Sequence, residues 1–98
     1  MTSRKKVFWT RRASLGLWSA RAYIAQENPP AATRVADAIV KRTNDLALLP
    51  YQERPGRAPN KRELVIPRTP FIVIYRLGEN RIDVLAVLHG ARRWPKRL

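Results

Sequence analysis

Apolar positions recur along the chain first at helical spacing and then in alternation, which divides it into a helical part and a strand part. Val7-Phe8-Trp9-Thr10 is a short β-prone run, after which Ala13, Leu17, Ala20 and Ile24 make one apolar helical stripe. Asn28-Pro29-Pro30 ends that helix and starts another, since Asn28 can cap and proline is tolerated in a first turn. The second helix sets Ala32, Val35, Ala36, Ile39 and Leu46 against Arg34, Asp37, Lys41 and Arg42, and the two helices make a hairpin. Leu49-Pro50 closes it. From Tyr51 to Asn60, with Pro55, Gly56 and Pro59, the chain reads as a loop that carries Arg54 and Arg57.

Three strands are predicted next, Arg62 to Ile66, Phe71 to Leu77 and Arg81 to His89, separated by Pro67 to Pro70 and by Gly78-Glu79-Asn80. The expected fold is therefore α+β: an N-terminal strand, a helical hairpin, then an antiparallel three-stranded meander with the helices on one face. In the last strand, strict alternation puts Ile82, Val84, Ala86 and Leu88 on one face and Asp83, Leu85, Val87 and His89 on the other. The first set is expected to face the helices. The opposite face then leaves much hydrocarbon for something to cover, either a partner or the chain's own termini.

At 98 residues the chain is read as a single domain, residues 1–98, and its 45% hydrophobic content is that of a folded protein. Twenty Lys and Arg against seven Asp and Glu give a net charge of +13, which draws the chain to a polyanion: phosphate chains or an acidic protein. With no Cys and one His, a disulfide framework and a Cys/His zinc site are both excluded, and no cofactor or metal is expected. The basic start is interrupted by Arg11 and Arg12 before any signal-peptide core, and no stretch reaches membrane-spanning length. A cytoplasmic location is the expectation.

Local wording over nearly the whole chain resembles toxins of the RelE/ParE family. The resemblance is carried by Phe8-Trp9-Thr10, Ala22-Tyr23-Ile24-Ala25, Asn28-Pro29, Ala31-Ala32, Arg62-Glu63-Leu64-Val65-Ile66, Tyr75-Arg76, Val84-Leu85-Ala86-Val87-Leu88-His89 and Arg92-Arg93-Trp94-Pro95 in combination. It implies a helical hairpin packed on an antiparallel sheet, an acidic antitoxin forming a hetero-oligomer with the toxin, and growth arrest when that antitoxin is lost. It also implies one of two targets, DNA gyrase or ribosome-bound mRNA.

For RNA cleavage such a fold needs a base for the ribose hydroxyl, cations for the phosphate and an acid for the leaving oxygen. His89 is the ordinary proton shuttle and Arg92 its nearby cation, so these two are the catalytic candidates if the chain is a nuclease. Arg57, Lys61, Arg62 and Arg93 are the candidates for gripping phosphate or a protein target, Arg for its planar fork of donors. The nucleases that this chain resembles tend to carry Arg-Leu-Val-Tyr on the central strand, where Ile72-Val73-Ile74-Tyr75 stands here. No tyrosine or histidine follows Arg92 either. The reading therefore leans to a toxin that acts by binding, with gyrase as target and mRNA cleavage as the alternative.

Each of these residues also has a plainer use. His89 can simply end a strand, and the basic positions can be solvated surface with the carboxylates as their partners. Trp9 and Trp18 are expected in the core or at its rim, Tyr75 in the core, and Trp94 anchors either the tail or a partner.

Overall fold

A computed structural model describes residues 5–48 and 60–90. The expected hairpin closure at Leu49-Pro50 and nearly all of the proline-rich loop lie outside the described residues. Strand β1 (Lys6–Trp9) leads into helices α1 (Arg11–Ala25) and α2 (Pro29–Asn44), followed by a 3₁₀ turn (Asp45–Ala47). Strands β2 (Lys61–Val65), β3 (Phe71–Leu77) and β4 (Arg81–His89) follow. The meander appears as expected, β2–β3 and β3–β4 both antiparallel. The N-terminal strand joins its far edge, parallel to β4, giving the order β1-β4-β3-β2. A parallel neighbour needs a long connection, which the hairpin and the meander supply.

Both helix starts follow from single side chains. Asn28 Oδ1 accepts from the Ala31 amide at 3.1 Å, and Pro29 and Pro30 occupy positions whose missing N–H groups cost nothing. Thr10 Oγ1 accepts from the Ala13 amide at 3.1 Å and donates to the Val84 carbonyl at 2.8 Å. The Thr10 backbone amide reaches the same carbonyl at 3.1 Å. One residue thus starts α1 and fixes that start to the middle of β4.

The attachment point is irregular. Ile74 pairs with Ala86 and the next residue, Tyr75, with Val84, so Leu85 is the extra residue of a β-bulge. The bulge overturns the expected face assignment from Ala86 onward, while Ile82, Val84 and Leu85 keep theirs. Ile82, Val84 and Val87 pack in the main core with Ala13, Ala20 and Ile39. Leu85 and Ala86 instead share the opposite face with Ile74, joined there by Leu88. Strict alternation fails because two consecutive residues of a bulge can point the same way. On the face away from the helices, Ile72, Ile74, Leu85 and Ala86 are only 0–6% exposed.

The main core is completed by Leu64, Val73, Tyr75 and Ile66, with Ile39 and Leu46 from α2 and its following turn. Tyr75 is buried as expected. Trp9 is half-buried, its Nε1 donating to Asn44 Oδ1 at 3.3 Å. Trp18 departs from expectation: it is 69% exposed. No helix among the described residues is long and apolar enough to cross a membrane.

Replacing Thr10 with alanine removes both the cap and the bond to Val84. Caps contribute about 0.5–2 kcal/mol and a buried hydrogen bond about 1 kcal/mol, so a loss of about 2 kcal/mol is expected in urea unfolding. Thr10→Ser, which keeps the hydroxyl, should recover most of it; equal losses in the two variants would contradict this role.

Candidate functional site

His89 is the last residue of β4, opposite Phe71 on β3. Because the bulge shifts the alternation, His89 follows Val87 onto the helix side of the sheet. Its ring meets Phe71 edge-on, with centroids 5.8 Å apart and planes at 75°. Both residues line a cleft of about 440 Å³ together with Gly16, Ser19, Tyr23 and Val87. The cleft is bounded on one side by the second half of α1 and on the other by the end of the sheet.

Gly16 makes that arrangement possible. A Cβ at this position would lie 2.6 Å from the Val87 carbonyl oxygen, inside any permissible contact. The absence of a side chain lets α1 lie directly on β4.

The two described cations of the candidate set lie elsewhere. Lys61 is the first residue of β2, opposite Arg76, and Arg62 is opposite Tyr75. Their neighbour Leu64 packs in the main core, so alternation directs Arg62 to the helix side and Lys61 to the other. Phe71 and Tyr75 are four residues apart on β3, about 13 Å at roughly 3.3 Å per residue. His89 and Arg62 are thus separated along the sheet, and Lys61 is on the other face from His89. Arg57, Arg92 and Arg93, like Trp94, lie outside the described residues.

Ile72 occupies the position where the resemblance places a nuclease arginine. It pairs with Leu88 and is 5% exposed, on the side of the sheet away from His89. A histidine on one face and a hydrocarbon side chain on the other cannot act on one phosphodiester, since acid, base and cation must all come within about 3 Å of the reacting group. Two described carboxylates are engaged by surface cations, Asp45 by Lys41 at 3.1 Å and Asp83 by Arg81 at 2.7 Å.

Sequence reasoning missed two features. Arg68 has φ of 64° in the turn between β2 and β3, a left-handed position that usually selects glycine or asparagine. It puts an exposed cation at the end of the sheet where Pro70 and Gly90 are hydrogen-bonded. Pro67 before it was the available signal, since proline favours the preceding position of such turns. The second feature is the outward exposure of Trp18, which the helical spacing of its neighbours already implied.

The helical hairpin packed on a four-stranded sheet is the architecture that the resemblance to RelE/ParE toxins implies. Residues 7–94 match the family described as the ParE toxin of the type II toxin-antitoxin system parDE, and the chain belongs to that family. The putative toxin Y4kP of Sinorhizobium fredii is 40% identical over 96 residues, covering 98% of this chain and 99% of that protein. The toxin RelE2 of Caulobacter vibrioides is 31% identical over 87 residues, or 89% and 97% of the two chains. A chain of the chromosomal ParDE toxin-antitoxin system from P. aeruginosa superposes with a TM-score of 0.79 at 25% identity, covering 88% of this chain and 96% of that one. The YoeB dimer from Staphylococcus aureus shares the fold alone, with a TM-score of 0.54 at 10% identity over 86% and 94% of the chains. Membership makes this chain a type II toxin, and the family implies an antitoxin partner.

Proposed function

We propose that the chain arrests growth by binding its target without cutting RNA, that the target is DNA gyrase, and that an acidic antitoxin neutralises it. The observation that carries this reading is Ile72. The central-strand position that would hold a phosphate-binding arginine is an isoleucine only 5% exposed, paired with Leu88 on one side and Val65 on the other, and His89 faces the other way. A binding toxin needs surface, and a chain of net charge +13 has it in a form suited to an acidic neutraliser. The cations Arg57, Lys61, Arg62 and Arg93 are proposed as target contacts, and His89 and Arg92 as dispensable for toxicity. Cytoplasmic action follows from either target.

The test is purified chain added to a gyrase supercoiling reaction and, separately, to a translating ribosome extract. Inhibited supercoiling with intact mRNA supports the reading. Cleaved mRNA with unaffected supercoiling supports the ribosome-dependent nuclease instead. In cells, His89→Ala is expected to remain toxic within about a factor of two, whereas loss of a general acid or base typically costs about 10²–10⁴ in rate.

A further inference from the structure

The strand register sets one row of side chains across the whole sheet. Lys61 is opposite Arg76, Arg76 opposite Asp83, and Asp83 opposite Phe8, all on the face away from the helices. Lys6 and Arg81 are paired one step further on the same face. Lys6, Phe8, Arg76 and Arg81 are exposed, and Lys61 is half-buried. This end of the face is therefore basic, whereas the end that holds Ile72 and Ile74 is buried hydrocarbon.

Three carboxylates belong to the same end. Asp83 accepts from Arg81 Nε at 3.0 Å and Nη2 at 2.7 Å. Glu63 is only 3% exposed and offers almost no surface. Glu79 stands in the adjoining turn, where Lys5 Nζ donates to its carbonyl and to that of Gly78. The Arg81 guanidinium also lies 4.0 Å from the centre of the Phe8 ring, so ring and carboxylate together fix it in place.

Beside the row, the open edge of β1 borders a hollow of about 550 Å³ lined by Lys6, Phe8 and Asn44. The Lys6 and Thr10 amides turn inward to Asn80 and Val84, so alternation turns those of Val7 and Trp9 to the open edge. Asn44 Oδ1 accepts from Trp9, which leaves its amide hydrogens to donate.

We propose that this end of the sheet binds a single nucleic-acid strand, with phosphates on Lys6, Lys61, Arg76 and Arg81 and one base in the hollow at the edge of β1. The inference goes beyond the gyrase reading and does not depend on it. A protein partner fits less well, because protein interfaces are depleted in lysine and centre on apolar anchors, whereas nucleic-acid interfaces are far more basic. A second copy would set the same cations against one another. A duplex keeps its bases paired and has none to place in the hollow. No proton shuttle accompanies the row, since His89 is on the other face, so the strand is held and not cut.

The experiment is anisotropy of labelled oligo-dT and oligo-U of about fifteen nucleotides, titrated with the full chain at several salt concentrations. Binding of either strand is expected, and the tighter of the two shows whether the strand is DNA or RNA. Lys6→Gln with Arg76→Gln should weaken binding about ten-fold and lower the slope of log K against log salt by about 1.4, at about 0.7 for each phosphate contact. Arg21→Gln with Arg34→Gln, at exposed positions on the helical hairpin, reaches the same net charge and should bind within about twofold of wild type. Arg76→Lys keeps the charge and should keep the slope. All of these side chains are exposed, so melting temperatures should stay near wild type. Equal losses in the two double variants would mean that net charge alone draws the strand, and would overturn the proposal. So would failure of the wild-type chain to bind either strand. Unchanged strand binding in a Lys6 and Arg76 variant that has lost the antitoxin or gyrase would make the row a protein contact and overturn it equally.

Discussion

Ile72→Arg, which installs the residue that the nucleases carry, is expected to destabilise the chain by about 3 kcal/mol or more and to confer no RNA cleavage. An uncompensated buried charge costs on the order of 3–5 kcal/mol, a large share of the roughly 5–15 kcal/mol that holds a domain together. The surroundings of Ile72 offer hydrocarbon: Leu88 across the strand pair, Ile74 next on the same face, and Leu85 and Ala86 beyond it. The new cation would also stay remote from His89, whose partner across the sheet is Phe71 on the opposite face. Ile72→Val, which keeps the shape nearly intact, should cost about 1 kcal/mol. Urea midpoints and primer extension on a reporter mRNA measure both effects. A stable Ile72→Arg chain that cleaves RNA would show that this face is a latent nuclease site.

The second large effect is expected at Gly16. Alanine is the better helix former by about 1 kcal/mol, so in an isolated helix Gly16→Ala would stabilise. Here the added methyl would stand 2.6 Å from the Val87 carbonyl oxygen and 3.2 Å from its Cβ and amide nitrogen. Two of those atoms are backbone, held in the β3–β4 ladder, so α1 itself must lift. Overpacking of this kind costs about 1–3 kcal/mol, and a loss of about 2 kcal/mol lowers the melting temperature of a chain this size by roughly 8–16 °C. Ser14→Ala, at an exposed position of the same helix, is the control and should leave the melt nearly unchanged. A Gly16→Ala protein as stable as wild type would mean that the close approach of α1 to β4 carries no energetic weight.

Much of the fold was legible because its signals are local. Apolar periodicity marked both helices, Asn28 and the two prolines marked their joint, and turn residues separated the three later strands. The place of β1 in the sheet was not legible, since pairing with β4 joins residues more than 70 positions apart. Nor was the bulge at Leu85: the alternation from Ile82 to Leu88 gives no sign of a break, which becomes visible only in the register with β3. That one irregular residue decides the site, because it turns His89 toward Phe71 and the helices. The candidate cations fared unevenly for a related reason. Lys61 and Arg62 are neighbours in sequence, yet a strand sends neighbours to opposite faces, so adjacency in the chain does not place them on one surface. The departure at Ile72 was readable from sequence, and its burial explains why an arginine would not be tolerated there.

The action proposed for this toxin is to occupy gyrase and to cut no RNA. It is tested most directly by pulse-labelling cells with thymidine and with an amino acid in the first minutes after the chain is expressed without its antitoxin. Thymidine incorporation should fall first, with amino-acid incorporation following later, and His89→Ala should give the same order. Early collapse of amino-acid incorporation while DNA synthesis continues, abolished by His89→Ala, would contradict the account and establish the chain as a translation-blocking nuclease.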